Sequence, residues 1–238
     1  MEGHVSRIMA SFDGMASAYD EMPFVRKRNL EQEIGNLMQL IPDLGQRSLL
    51  DIGCGTGSLT IRLHDLGVRV LGIDFSEQMI LEANKKKQGL FERMDFYKLD
   101  RKLEFDCAIS IMGGAFGLSE SDEDSNEKTG AFFIQLNKVL RSGGLAVIEF
   151  LNLSNLLRCV TVDEVENGDF CYESSLVDLK EGYFEKAYSP SELSIHAKYS
   201  GFEVVGFHGK GKGNVLEKLS LDSEIGVLVL TKIEDLYE

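Results

Sequence analysis

The stretch "SLLDIGCGTGSLTIRL", residues 48–63, constrains the fold of this chain more than any other segment. An apolar run ends at an acid, glycines follow at positions 53, 55 and 57, and a helical pattern then begins. Because glycine adopts positive φ freely and has no Cβ atom, it allows a tight turn from a strand into a helix. The N-terminus of that helix faces the ligand crevice. The segment therefore predicts a site for a nucleotide-like cofactor.

The rest of the chain alternates β-type apolar runs with segments of helical periodicity. Strands are predicted at 47–52, 68–73, 94–98, 105–111, 144–150, 201–207 and 224–230. Helices are predicted at 26–41, 57–66, 76–88, 126–140 and 190–200. This alternation indicates βαβ crossovers and therefore an α/β fold, Rossmann-like and doubly wound, with a mostly parallel sheet and helices on both faces.

The 238 residues are predicted to form a single domain, residues 1–238. The segment 151–189 interrupts the βα rhythm directly after a predicted strand. Ligands of open α/β sheets bind at the carboxyl ends of the strands. We therefore expect this insertion to form a lid or an acceptor pocket.

Composition and net charge limit the kinds of partner that we expect this chain to bind. A net charge of −14 argues against nucleic-acid binding, which depends on Lys and Arg at phosphates. We find no apolar run of the roughly 18 residues that a bilayer span needs, and no signal-peptide pattern, so a cytoplasmic protein without membrane contact is expected. The four cysteines lack metal-ligand spacing, so no metal is expected.

Acidic residues stand at three predicted strand ends. Asp51 precedes the glycine turn and suits an amino group of the ligand. Asp74 ends the second strand, where a carboxylate accepts both hydroxyls of a ribose. Asp100 can accept from an adenine amine, with the backbone of Arg101 beside the ring. Three acids and no basic residue in the turn point to a ligand without phosphates.

A dinucleotide cofactor is the alternative at this point. Its fingerprint is G-x-G-x-x-G, but the sequence has G-x-G-x-G, with Ser58 at the position of the third glycine. NAD enzymes also bind ribose through an acid at the position of Asp74, so that residue alone indicates only adenosine. A dehydrogenase remains open if the glycine register is different.

The segments "LLDIGCGTGSL", "VLGIDFSEQMI", "KLD", "FDCAIS", "LNKVLRSGGLAVIE", "YSPSEL" and "GFEVV" follow one another in the order typical of the class I S-adenosylmethionine-dependent methyltransferases. The chain resembles that family from about residue 47 to residue 230. The resemblance implies a seven-stranded sheet whose last strand is antiparallel. It implies S-adenosyl-L-methionine as methyl donor and S-adenosyl-L-homocysteine as product. The gap between "KLD" and "FDCAIS" is too short for a full helix, so one sheet-covering helix is expected to be missing.

The resemblance also gives roles to flanking residues. Residues 1–45 would form an N-terminal helical cap over the cofactor, with Tyr19 near its methionine end and Arg26 at its carboxylate. A structural role for Tyr19 and a solvated position for Arg26 are the alternatives. The resemblance adds further residues to the predicted cofactor site, which are Gly53, Cys54, Gly55, Gly57, Phe75, Met79, Ile111, Gly113 and Phe116.

Methyl transfer from a sulfonium needs an oriented acceptor, and a general base only when the acceptor atom carries a proton. The candidate bases are His196, His208 and Tyr172, each of which also has an ordinary structural interpretation. We predict methylation of an O, N or C atom of a small-molecule acceptor by a monomer or homodimer. A methyltransferase acting on protein or tRNA, and a non-catalytic regulator that binds S-adenosylmethionine, are the alternatives.

Overall fold

The computed structural model describes residues 6–102, 104–112, 116–171, 175–179 and 182–236, and at 122–124 only the backbone. The N-terminal part contains three helices, which are α1 (Arg7–Met15), α2 (Pro23–Arg26) and α3 (Leu30–Leu40). A 3₁₀ helix, Ala16–Glu21, joins α1 to α2. The predicted helix over 26–41 is wrong at its start, because Asn29 caps α3 by accepting a hydrogen bond from the N–H of Gln32. Residues 27–29 therefore form a turn between α2 and α3.

The central sheet begins with β1 (Ser48–Ile52), α4 (Ser58–Asp65), β2 (Arg69–Asp74), α5 (Glu77–Lys86), β3 (Phe91–Arg93) and β4 (Phe105–Ser110). It continues through β5 (Leu118–Ser119), α6 (Asp122–Val139) and β6 (Leu140–Asn152). The insertion holds α7 (Leu153–Cys159), α8 (Val162–Glu166), β7 (Phe170–Cys171), β8 (Leu176–Asp178) and β9 (Phe184–Tyr188). The last elements are α9 (Pro190–Tyr199), β10 (Phe202–Lys210), β11 (Leu216–Lys218) and β12 (Ile225–Lys232).

The strand order across the sheet is β11-β10-β12-β6-β4-β1-β2-β3. Strands β1, β2, β3, β4 and β6 are parallel, and β12 is antiparallel to both of its neighbours. The predicted antiparallel last strand is therefore present. The strand order reverses at β1 and β4, which is the position where open α/β sheets bind their ligands.

Two apolar cores lie on opposite faces of the sheet. Side chains of one strand alternate between them: Leu50 and Ile52 face the core shared with α6 and α9, and Leu49 faces the core shared with α3 and α4. In the first core Phe116 stacks on Tyr188 with ring centroids 4.7 Å apart. Helices thus cover both faces, as predicted.

The third strand differs from its prediction. It was expected at 94–98, but β3 ends at Arg93 because Asp95 accepts a hydrogen bond from the N–H of Tyr97 and starts a 3₁₀ helix, Phe96–Lys98. That short helix is the one described helical segment between β3 and β4. For the described residues, the prediction that no full helix lies between these two strands is therefore confirmed.

Candidate cofactor site at the glycine turn

The glycine turn follows β1 as the spacing predicts. Gly53, Gly55 and Gly57 have φ values of 73°, 54° and 80°, in the region that side chains disfavour. Gly57 faces the protein interior, since a Cβ atom there would lie 2.3 Å from Cζ of Phe91. A Cβ atom on Gly55 would lie 3.7 Å from Cε1 of Tyr19. The first two glycines therefore belong to the crevice, and the third permits packing on β3.

The backbone N–H groups of the turn are largely occupied within the protein. Those of Gly53 and Cys54 donate to the carbonyl oxygen of Ile73 at 2.9 and 3.0 Å, and that of Gly57 donates to Cys54. That of Gly55 donates to Oδ2 of Asp74 at 2.9 Å. A dinucleotide pyrophosphate needs such donors for its own oxygens. This hydrogen bonding favours a ligand without phosphates.

Asp74 is the central acid of the site. It is buried at the end of β2, where Oδ1 accepts from the N–H of Ser76 and Oδ2 from that of Gly55, both at 2.9 Å. A carboxylate has about four acceptor positions, so both oxygens can still accept another hydrogen bond. Burial raises the pKa of Asp74 to about 6, although these two backbone hydrogen bonds oppose the shift.

Two cavities meet at this acid. A larger cavity of about 450 Å³ extends from the sheet edge to α1, and a narrow one of about 40 Å³ lies between the turn and the segment 12–28. Gly53, Asp74 and Phe75 line both cavities. A ligand with a nucleoside part and a second part joined to it can therefore pass from one cavity into the other beside Asp74.

The N-terminal residues close these cavities from outside. The ring of Phe12 lies against that of Phe75, at 6.0 Å and nearly perpendicular, and against that of Tyr183, at 6.3 Å. Tyr19 lines the narrow cavity, and burial raises the pKa of its hydroxyl. Three aromatic rings, those of Phe12, Tyr19 and Phe75, thus surround the junction of the cavities.

Three carboxylates fix this segment to the sheet domain. Glu120 accepts from Oγ of Ser6 at 2.5 Å and from the N–H of Ile8 at 3.2 Å. Asp13 accepts from Oγ of Ser76 at 2.5 Å. Asp20 accepts from Oγ1 of Thr56 at 2.6 Å and pairs with Lys86. The segment therefore has an anchor on each side of the crevice.

The cation in the narrow cavity is Arg28, which the sequence analysis missed. The predicted Arg26 is 68% exposed, pairs with Glu21 and lines neither cavity. Arg28 lies in the turn before α3, 2.6 Å from the carboxylate of Glu33. Burial opposes its charge, but Glu33, Asp51 and Glu149 raise its pKa above the ordinary value. Asn29 is the sequence signal for this difference. It caps α3, so the helical register of α3 does not extend back to Arg26.

Two predicted residues lie beneath the crevice. Asp51 is buried, and Oδ2 accepts from Oγ1 of Thr60 at 2.6 Å. Burial raises its pKa to about 6. Asp51, on β1, and the fully buried Met79, on α5, line neither cavity. Cys54 does line the narrow cavity, and burial raises the pKa of its thiol well above the ordinary range.

The acid at the third strand end is Asp95 and not Asp100. Asp95 and Phe96 line the larger cavity, directly after β3. The side chain of Asp100 is 91% exposed and pairs with Lys138, while Arg101 pairs with Glu92 at 2.7 Å. Because β3 ends five residues before the end of the predicted strand, Asp100 and Arg101 line neither cavity.

After β4, Ile111 lines the narrow cavity as predicted. Phe116 does not, because it is buried in the core between Phe132 and Tyr188. Gly113 lies outside the described residues. These placements put the end of β4 beside the glycine turn.

Of the proposed general bases, neither histidine reaches the cavities. His196 is on α9 and stacks on Phe133 at 5.8 Å, and burial lowers its pKa. His208 is on β10, opposite Lys218 and Val227. Tyr172 lies outside the described residues. No described residue of the two cavities is a histidine.

In the described ranges no cluster of three or more His, Cys, Asp or Glu side chains could hold a metal ion. Among those ranges, too, no helix is both long and apolar enough to span a bilayer.

Comparison with known proteins gives consistent matches. Residues 49–144 match the family described as "Methyltransferase domain". Over 194 residues the chain is 25% identical to the ubiquinone biosynthesis O-methyltransferase of Methylococcus capsulatus, covering 80% of this chain and 77% of that protein. In two further curated relatives the chain spans only 42% and 29% of their length.

Solved structures have the same fold. The CcbJ methyltransferase from Streptomyces caelestis superposes with a TM-score of 0.70 at 19% identity, over 92% of this chain and 96% of that one. The 1,6-didemethyltoxoflavin-N1-methyltransferase of Burkholderia thailandensis, solved with bound S-adenosylhomocysteine, gives 0.64 at 15% identity, over 96% and 88%. Identities this low concern the fold alone.

Proposed function

We propose that this chain, a member of the class I S-adenosylmethionine-dependent methyltransferase family, transfers a methyl group from S-adenosylmethionine to a small molecule. The observation that carries the proposal is the hydrogen bonding at the glycine turn. Its N–H groups at 53, 54, 55 and 57 are occupied, while Asp74 retains acceptor positions on both oxygens. That arrangement suits a ribose better than a pyrophosphate.

The residues present provide a partner for each part of this cofactor. Asp74 would accept the ribose hydroxyls, and Phe75, Asp95 and Phe96 would surround the adenine in the larger cavity. The methionine part would enter the narrow cavity, where three donors of the Arg28 guanidinium remain beyond the two that contact Glu33. The positive sulfonium would lie at the junction, among aromatic rings that attract cations.

When bound, the cofactor supplies an electrophilic methyl group. The chain contributes positioning and exclusion of water, since Phe12 and Tyr19 cover the junction from outside while Ile111 and Gly53 bound it from the sheet. The described residues of the cavities offer no histidine to take up a proton.

The acceptor class rests on the relatives. The matched protein of Methylococcus capsulatus acts in ubiquinone biosynthesis by its name, and that of Burkholderia thailandensis is by its name a 1,6-didemethyltoxoflavin-N1-methyltransferase. We propose a small molecule for this chain too, with residues 1–45 as the cap and the insertion 151–189 as the wall of the acceptor side. Tyr183 of the insertion already packs on Phe12 of the cap.

The test begins with the cofactor. S-Adenosylhomocysteine should raise the melting temperature of the protein in a thermal-shift assay, whereas NAD at the same concentration should not. Stabilisation by NAD alone would overturn the proposal. Methyl-labelled S-adenosylmethionine, incubated with metabolite, RNA and protein pools in parallel, should then label the metabolite pool.

A further inference from the structure

Met112 has an unusual backbone conformation at the edge of the proposed site. Its φ is 61°, a left-handed value that costs an ordinary residue about 1–2 kcal/mol. Asp43 and Asn214, which also have positive φ, are of the polar types that tolerate this region. Methionine has no such local compensation. Met112 also lines the narrow cavity beside Ile111, so its conformation shapes the site.

Glu149 holds this backbone in place. It lies near the end of β6 with only 5% of its surface exposed, and Oε2 accepts the N–H of Met112 at 2.9 Å. A buried N–H without a partner costs about 1–3 kcal/mol, so this acceptor favours the one conformation that reaches it. The contact joins the end of β6 to the end of β4 across the sheet edge.

Lys210 balances the charge of Glu149. Its ammonium contacts Oε1 of Glu149, and both side chains are buried, at 9% and 6% exposure. Lys210 ends β10 in the glycine-rich segment "HGKGKGNV", where β10 and β11 form a hairpin. The hairpin is fixed to α3 by the amide of Asn36, which donates to the carbonyl oxygen of Asn214 at 2.7 Å. This segment therefore connects the ion pair of Glu149 to α3.

We infer that Glu149, paired with Lys210, is a positioning residue for the methyl-donor site. It acts by holding Met112 in its left-handed conformation and so keeps Ile111 and Met112 against the glycine turn. The inference rests on the proposed function for its ligand, but the contact itself can be tested without one.

Two neutral pairs separate the hydrogen bond from the charge. Glu149→Gln with Lys210→Met removes both charges and keeps an oxygen that can accept the N–H of Met112. Glu149→Leu with Lys210→Met removes that oxygen as well. By calorimetry we expect the Gln/Met protein to bind S-adenosylhomocysteine within about threefold of wild type. The Leu/Met protein should bind about tenfold more weakly, as for one lost buried hydrogen bond.

A glycine at position 112 provides the decisive rescue. Glycine adopts positive φ without support, so Met112→Gly added to both pairs should reduce the tenfold gap between them to about threefold. The inference is overturned if the two pairs bind S-adenosylhomocysteine equally well with Met112 present. It is also overturned if their affinities still differ tenfold with glycine at position 112. Met112→Gly alone serves as the reference for the lost side chain.

Hydrogen exchange tests the contact in ligand-free protein. A peptide covering residues 105–112 should stay protected in the Gln/Met pair and exchange faster in the Leu/Met pair. Equal exchange in the two proteins would refute the inference. If wild type binds no S-adenosylhomocysteine while the exchange difference is present, then the proposed function fails, and Glu149 holds the backbone of Met112 without positioning a methyl donor.

Discussion

The raised pKa of Asp74 makes cofactor affinity depend on pH in a calculable way. In the free protein this carboxyl has a pKa of about 6, chiefly because it is buried. Ribose hydroxyls donate to its ionised form, so binding favours the carboxylate and lowers its pKa. Below pH 6 the free protein holds a proton there that binding must remove. The affinity should therefore fall as the pH decreases.

The magnitude follows from the pKa alone. If the pKa in the complex is below about 4, the affinity at pH 5 is lower than at pH 8 by about tenfold, or roughly 1.4 kcal/mol. Calorimetric titration with S-adenosylhomocysteine from pH 5 to 8 measures this ratio. Repeating the titration in buffers of different ionisation enthalpy should detect the release of up to one proton near pH 5.5.

Two variants assign the effect to a residue. Asp74→Asn should bind weakly at pH 8 and show little dependence on pH. Asp51→Asn is the matched control, because that acid also has a pKa of about 6 but accepts from Thr60 and lines neither cavity. It should keep the pH dependence. The reasoning is refuted if the wild-type affinity does not change with pH, or if the affinity of Asp74→Asn changes with pH as steeply as that of wild type.

Three other predictions concern single contacts. Arg28→Met should weaken S-adenosylhomocysteine binding about tenfold, as for a charged hydrogen bond, whereas the exposed Arg26→Met should leave it unchanged in the same calorimetric assay. Gly57→Ala should cost about 2–5 kcal/mol of unfolding free energy in urea, from positive φ together with overpacking. Gly67→Ala, with positive φ but open space, should cost only about 1–2 kcal/mol, and equal losses would contradict the steric argument. Phe12→Leu should weaken S-adenosylmethionine binding about 2- to 10-fold more than S-adenosylhomocysteine binding, since only the former carries the sulfonium charge; an equal loss would exclude the aromatic contribution.

The sheet and the glycine turn could be predicted because their signals are local. Apolar runs predict β1, β2, β4 and β6, and residues 49–144, which contain the first four of the ordered motifs, match a family described as "Methyltransferase domain". The position of Asp74 at the cavities could be predicted because it ends an unambiguous strand. Its distance from the first glycine is set by one helix and one strand, which leaves little freedom.

The errors occur where a short element or a cap decides the register. Asp95 was missed because β3 has only three residues, and the apolar residues after it belong to a 3₁₀ helix. Arg28 was missed because Asn29 breaks the predicted helix. Phe116 was misplaced since an aromatic residue after β4 suits a cavity wall and a core equally well, and only tertiary packing separates the two.

The anchoring of the N-terminal segment has a kinetic consequence. The narrow cavity of about 40 Å³ has room for about three water molecules, less than an amino-acid tail requires. We expect entry of a donor with such a tail, and departure of its product, to need release of at least one of the hydroxyl contacts made by Asp13, Asp20 and Glu120. We therefore expect turnover to depend on how often these anchors open.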